Sequence, residues 1–129
     1  LVQKLIKLGQ NPKDARVLIM GITFKENVSD IRNSKVADLV NELQQYSVNV
    51  EVTDPHASSE EVMREYGFPI IDEMEGLYDS IIVAVGHGEY KELNRDFFID
   101  KLKQDTRLLF DLKGLYPLKG DQEIKYWRL

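Results

Sequence analysis

The 129-residue chain contains no cysteine. It can therefore build no disulfide framework and supply no thiol nucleophile from within itself. Long apolar runs are also missing. The longest, SIIVAV at 80–85, falls far short of the roughly 20 residues that a membrane-crossing helix needs. Basic excess is missing too: 17 Lys and Arg stand against 22 Asp and Glu, a formal net charge of -5. Nucleic-acid and anionic-membrane surfaces demand clustered positive charge, so neither partner is expected. A small cationic pocket for one phosphate group stays compatible with that balance. With 8 glycines and 4 prolines there is no low-complexity tract, internal repeat or interdomain linker. The chain opens on LVQK with no Met and no secretory leader, which reads as a start within a longer protein. The lack of cysteine is compatible with a reducing, cytoplasmic setting.

What remains is an ordinary globular composition, 43% hydrophobic and 30% charged, in a length suited to one domain with a real core. Residues 1–12 carry a helical stripe, Leu1, Val2, Leu5, Ile6 and Leu8, expected to be the end of a helix from an upstream region. Residues 13–129 are expected to form the domain proper. The run Arg16 to Met20, halted by Gly21, has the uniformly apolar pattern of a strand buried on both faces. A polar loop follows to Asn33, and Ser34 can cap a helix with Val36, Leu39, Val40 and Leu43 at helical spacing. Val48, Val50 and Val52 alternate as a second strand, and the capping-box pattern from Ser58 to Glu61 opens a helix closing at Gly67. Further strands are expected at 68–71, 81–85, 107–110 and 124–127, with a helix over 94–102. Strands alternating with helices predict an α/β fold: a Rossmann-like, doubly wound, mainly parallel sheet of about five to six strands with helices on both faces.

Such sheets bind ligands outside the carboxyl ends of their strands. Polar and glycine residues gather at those ends here: GITFKENVSDIRN after the first strand, Asp54 to His56 after the second, Gly86 to Gly88 after the fourth, and Asp111 to Gly114 after the fifth. In the order 3-2-1-4-5, the first and fourth strands would flank the crevice. Gly21 stands alone, without the glycine triplet that lets a pyrophosphate approach the backbone, so this is not the principal site of a dinucleotide. Lys25 and Arg32 offer long cations instead. By pattern alone they read as solvated loop charges.

The segment GITFKENVSDIRNSK at 21–35 resembles the matching loop of the UDP-glucose/GDP-mannose dehydrogenase family. The VTDP turn at 52–55, AVGH at 84–87 and DLKG at 111–114 resemble three further motifs of that family, in the same order and at strand ends. The variants look most like the branch oxidising UDP-N-acetylhexosamines. Departures are Ser47, where the family usually has a helix-ending glycine, with Val28 and Gly86. The resemblance implies that Lys25 and Lys113 contact the UDP-sugar and that Arg32 contacts NAD held mainly by an N-terminal domain. All three cations would then converge on one groove. It further implies two hydride transfers that turn an alcohol into a carboxylate, as in forming a UDP-uronic acid for surface polysaccharide. The family's catalytic cysteine lies upstream, so no catalytic residue is expected here and the chain alone should be inactive. Expected partners are the UDP-sugar, the N-terminal and central domains and, in the whole enzyme, a second copy as a homodimer.

Other readings stand beside this one. Asp30 reads as a local turn or a partner for Arg32, Asp54 as a turn starter, and His87 as an ordinary loop histidine. Glu60 and Glu61 suit a helix N-terminus, and Asp72, Glu73 and Glu75 show no metal spacing. A phospho-receiver module needs an acidic pair after the first strand, where this chain has Gly21, Ile22 and Thr23. A structural module that only braces neighbouring domains remains the alternative.

Overall fold

A computed structural model describes Gln3 and residues 11–128. The helix expected over 1–8 lies outside the described residues, apart from Gln3. Five parallel strands form one sheet: β1 (Arg16–Met20), β2 (Asn49–Thr53), β3 (Ser80–Val83), β4 (Leu108–Asp111) and β5 (Lys125–Arg128), in the order β2-β1-β3-β4-β5. A short 3-10 helix (Pro12–Asp14) leads into β1. The connecting helices are α1 (Lys35–Gln45), α2 (Ser59–Tyr66), α3 (Gly88–Lys91) and α4 (Arg95–Lys101).

The central strands β1, β3 and β4 are apolar except at the end residues Arg16, Ser80 and Asp111. Every residue of β3 and β4 is buried, as are residues 17–20 of β1, whereas the edge strand β2 is mostly half-buried and β5 mostly exposed. Alternation along each strand divides the core between the two faces. Val17, Ile19, Ile82 and Phe110 pack with Ala37, Val40, Leu43 and Val62 of α1 and α2. Leu18, Met20, Ile81, Val83 and Leu109 pack on the other face with Tyr90 of α3, Phe98 of α4 and Leu102.

The helix signals behave as their chemistry requires. Ser34 accepts from the Val36 amide, Ser58 from Glu61 and Asn94 from Phe97, each supplying an acceptor to a helix N-terminus. Gly67 closes α2 in the left-handed region at φ 81°. Ser47 is also left-handed, at φ 64°, with a side chain that disfavours it.

One expected element is corrected. Residues 68–71 form no strand. Pro69 has no N–H to donate. The segment is tied to β2 through a single backbone bond, Ile71 N–H to Val52 O at 2.8 Å, and through the Thr53 hydroxyl, which donates to Ile71 O at 3.0 Å. The place of a third strand is thus occupied by irregular chain. The remaining order keeps β1 beside β3, so the two strand ends expected to flank the crevice do so.

Candidate functional site

The crevice begins where β1 and β3 end side by side. Gly21 leaves β1 at φ 104°, and a Cβ placed there would lie 2.7 Å from Val85 Cβ and 3.0 Å from the Val85 amide nitrogen. Glycine is required because two chain segments touch, and not to admit a phosphate to the backbone. A single glycine spent on packing leaves no cradle for a dinucleotide pyrophosphate.

From Gly21 the loop is gripped by a buried pair. Asp54, at the exit of β2, and His87, beyond β3, have fully buried side chains, with Asp54 Oδ2 3.0 Å from His87 Nε2. The same carboxylate oxygen accepts from the Ile22 amide at 2.7 Å and the Thr23 amide at 3.2 Å, while Oδ1 accepts from His56 at 2.7 Å. The other imidazole nitrogen, Nδ1, accepts from the Asn27 amide at 2.9 Å. An acceptor at Nδ1 puts the proton of the neutral ring on Nε2, where it faces Asp54. Asn27 completes the grip, its Oδ1 accepting from the Gly88 amide at 2.9 Å. Asp54 is therefore a turn starter, as its motif suggested, and also the anchor of the neighbouring loop. His87 is no open-loop residue.

Lys25 lies on this loop, and Lys113 follows β4. Both line a cavity of about 260 Å³ beside Phe24, Ala84, Val85 and Lys35 of α1. Among the described residues, none of the three ammonium groups takes part in an ion pair or side-chain hydrogen bond. Glu26 also lines the cavity, leaving three cations to one carboxylate. Phe24 is 59% exposed, an apolar ring left in solvent at the same mouth.

Lys113 stands on a rigid turn. Gly114 adopts φ 65° and its amide donates to Asp111 O at 3.3 Å. The Asp111 carboxylate is buried and accepts from the Tyr116 amide at 2.9 Å and from the Tyr126 hydroxyl. Burial and the bond to Asp111 push the Tyr126 hydroxyl up to about 12.

Arg32 is placed differently from the two lysines. It does not line the cavity, its side chain is 79% exposed, and it forms a two-pronged bond to Asp30 at 3.0 Å on each prong. The guanidinium holds the Asp30 carboxyl down to about 2, and Asp30 also accepts from the Arg32 amide. Asp30 is thus both turn and partner. Lys35 is the cavity cation that sequence reasoning missed. It sits one residue past the Ser34 cap, and that cap was the available signal, because the first residue of a helix packed on β1 must lie near the β1 exit.

A larger cleft of about 400 Å³ lies on the opposite face, among Met20, Ile71, Met74, Tyr90, Leu93 and Phe97. It contains no lysine or arginine, and its charged groups are carboxylates such as Asp72 and Glu89. The two clefts differ in charge, and only the smaller suits an anion.

The UDP binding domain of the UDP-glucose/GDP-mannose dehydrogenase family matches residues 18–117. UDP-N-acetyl-D-glucosamine 6-dehydrogenase of Salmonella typhi is 44% identical over 118 residues, covering 91% of this chain and 28% of that protein. The Pseudomonas aeruginosa protein of the same name is 46% identical over 116 residues, covering 89% and 27%. The chain thus spans little more than a quarter of the length of these relatives. A crystal structure of NDP-N-acetyl-D-galactosaminuronic acid dehydrogenase from Methanosarcina mazei superposes with a TM-score of 0.83 at 22% identity, over 98% of this chain and 27% of that one, a likeness of fold.

Proposed function

This chain belongs to the UDP-glucose/GDP-mannose dehydrogenase family as its UDP binding domain, and from that premise we propose that it holds the nucleotide diphosphate of a UDP-N-acetylhexosamine for a larger NAD-dependent 6-dehydrogenase. The observation that carries the reading is the set of unneutralised ammonium groups, Lys25, Lys35 and Lys113, around one cavity at the strand ends. A diphosphate is a compact anion, and flexible point charges can follow it without a glycine-rich cradle. Phe24 offers an exposed ring face to the same ligand.

The residues do not fit NAD as a principal site, since Gly21 is committed to packing against Val85. In this reading Arg32, turned outward on the rim, meets a dinucleotide carried by the rest of the enzyme. The chain binds and orients; with no cysteine it has no thiol of its own for the oxidation. A cytoplasmic enzyme working as a homodimer on precursors of surface polysaccharide is the setting we propose.

Titrating UDP into the chain while following amide resonances tests this. Shifts should gather in 21–35 and 111–114, while uridine, lacking the diphosphate, should leave them in place. Lys25→Ala and Lys113→Ala should each weaken UDP by roughly 3- to 30-fold, the range for a charge-assisted contact. Still resonances at millimolar UDP, or lysine variants that bind as well as the parent, would favour a domain that only braces its neighbours.

A further inference from the structure

We propose that His87 and Asp54 form a positioning pair that sets the Lys25 loop against Lys113, through one fixed imidazole tautomer buried between three strand ends. This deepens the nucleotide-binding reading and rests on it. Neither Asp54 nor His87 lines the cavity itself, although both bond Thr23, which does. Its reach is through the backbone: Asp54 takes the Ile22 and Thr23 amides, His87 takes the Asn27 amide, and the Thr23 hydroxyl, 3.2 Å from Nε2, donates to Lys25 O at 2.9 Å. The loop is therefore held on both sides of Lys25, at 22–23 and at 27.

The arrangement is more than filler. A buried imidazole needs both nitrogens satisfied, and a buried carboxylate needs several donors. Here each satisfies the other, and together they take three amides of a single loop, with the second Asp54 oxygen left to the His56 amide. That loop otherwise lacks secondary structure, and Asn27 and Asn33 sit at φ 61° and 56°. Cross-strand contacts supply what helix or sheet would elsewhere. The titratable groups near the pair include His56, whose ring centroid is 4.5 Å from that of His87, and Glu89, bonded to His56 at 3.0 Å. They form the outer layer between the pair and solvent.

Three variants separate the parts. His87→Asn retains an acceptor near Asn27 and loses the donor to Asp54, His87→Gln does the reverse, and Thr23→Val removes only the hydroxyl that ties Lys25 O. Each is measured for folding by circular dichroism, for Asn27 amide exchange, and for UDP affinity by calorimetry, alone and combined with Lys25→Ala. The parent should show the Nε2–H tautomer in long-range nitrogen–proton spectra. Each variant should weaken UDP by about 3- to 10-fold while remaining folded. In the Lys25→Ala background that loss should vanish, because a residue acting through Lys25 cannot harm a chain that lacks it. A merely structural role would leave the loss undiminished in both backgrounds. Additive losses, unchanged affinity in folded variants, or an Nδ1–H tautomer would each overturn the proposal. Should the parent not bind UDP, the nucleotide reading fails separately. The tautomer and the Asn27 exchange rate, which should rise at least tenfold in His87→Gln, then decide the positioning claim alone.

Discussion

Replacing Gly21 and Gly67 by alanine separates two costs that glycine can hide. Both residues have positive φ, at 104° and 81°. Around Gly67 nothing lies within 4 Å of an added Cβ, so Gly67→Ala meets only the backbone penalty, about 1 kcal/mol. At Gly21 the added carbon would sit 2.7 and 2.8 Å from two carbons of the Val85 side chain and 3.0 Å from its amide nitrogen. Side-chain rotation cannot relieve a contact to Cβ or to backbone. The β1 and β3 exits must part by several tenths of an ångström, at an overpacking cost of about 1–3 kcal/mol beyond the backbone penalty. The total is about 3 kcal/mol, a large share of the stability of a domain this size. In urea, with a slope of about 2 kcal/mol per molar, the midpoint should fall by about 1.5 M for Gly21→Ala and about 0.5 M for Gly67→Ala. Equal midpoints for the two variants would refute the close approach of the two strand exits. Because the same exits carry Lys25 and His87, Gly21→Ala should also disturb the amide resonances of 22–27, which Gly67→Ala should leave unchanged.

Two further outcomes follow from single positions. Ser47→Gly removes the side chain from a residue held at φ 64°, and should stabilise the chain by about 0.5–1 kcal/mol after the entropy of the extra glycine is counted; differential scanning calorimetry should show a rise of a few degrees, and a fall would mean that Ser47 contributes more than its conformation costs. Asp30 should titrate near 2 in carboxyl NMR and return toward its usual 3.8 in Arg32→Ala. Its folded value is depressed, so its contribution is present above the unfolded value and fades as pH drops from about 4 through about 2; an unchanged midpoint in Arg32→Ala would show that the guanidinium is not what holds it down.

Legibility in the sequence followed periodicity and local chemistry. Strands β1, β3 and β4 were readable because burial on both faces leaves an apolar run with polar residues only at the ends, Arg16, Ser80 and Asp111. Caps at Ser34, Ser58 and Asn94 were readable because capping is a contact between near neighbours. Residues 68–71 form no strand because a short apolar run suits an edge of the core as well as a strand, and Pro69 lacks the N–H that a ladder needs. At the site, Lys25 and Lys113 could be placed at one rim once strand order was assumed. The turning away of Arg32 could not, since it depends on whether Asp30, two residues back, reaches the guanidinium. The Asp54–His87 pair is 33 residues apart in sequence, and no local pattern reports such a contact.

The division of labour around the sheet edge explains how a fold of the dinucleotide-binding kind can serve a nucleotide without the glycine fingerprint. Where a pyrophosphate is gripped by backbone amides, glycines must let the chain come close, and the loop needs few other ties. Here Gly21 is spent on the β1–β3 contact, so the anion must be met by side chains. Side chains aim well only from a loop that is held, and this loop is held by Asp54 and His87, just beyond the neighbouring strands. In the proposed function, cations and anchors are two halves of one solution. Lysines transplanted into a loop without the buried pair would gain charge without direction.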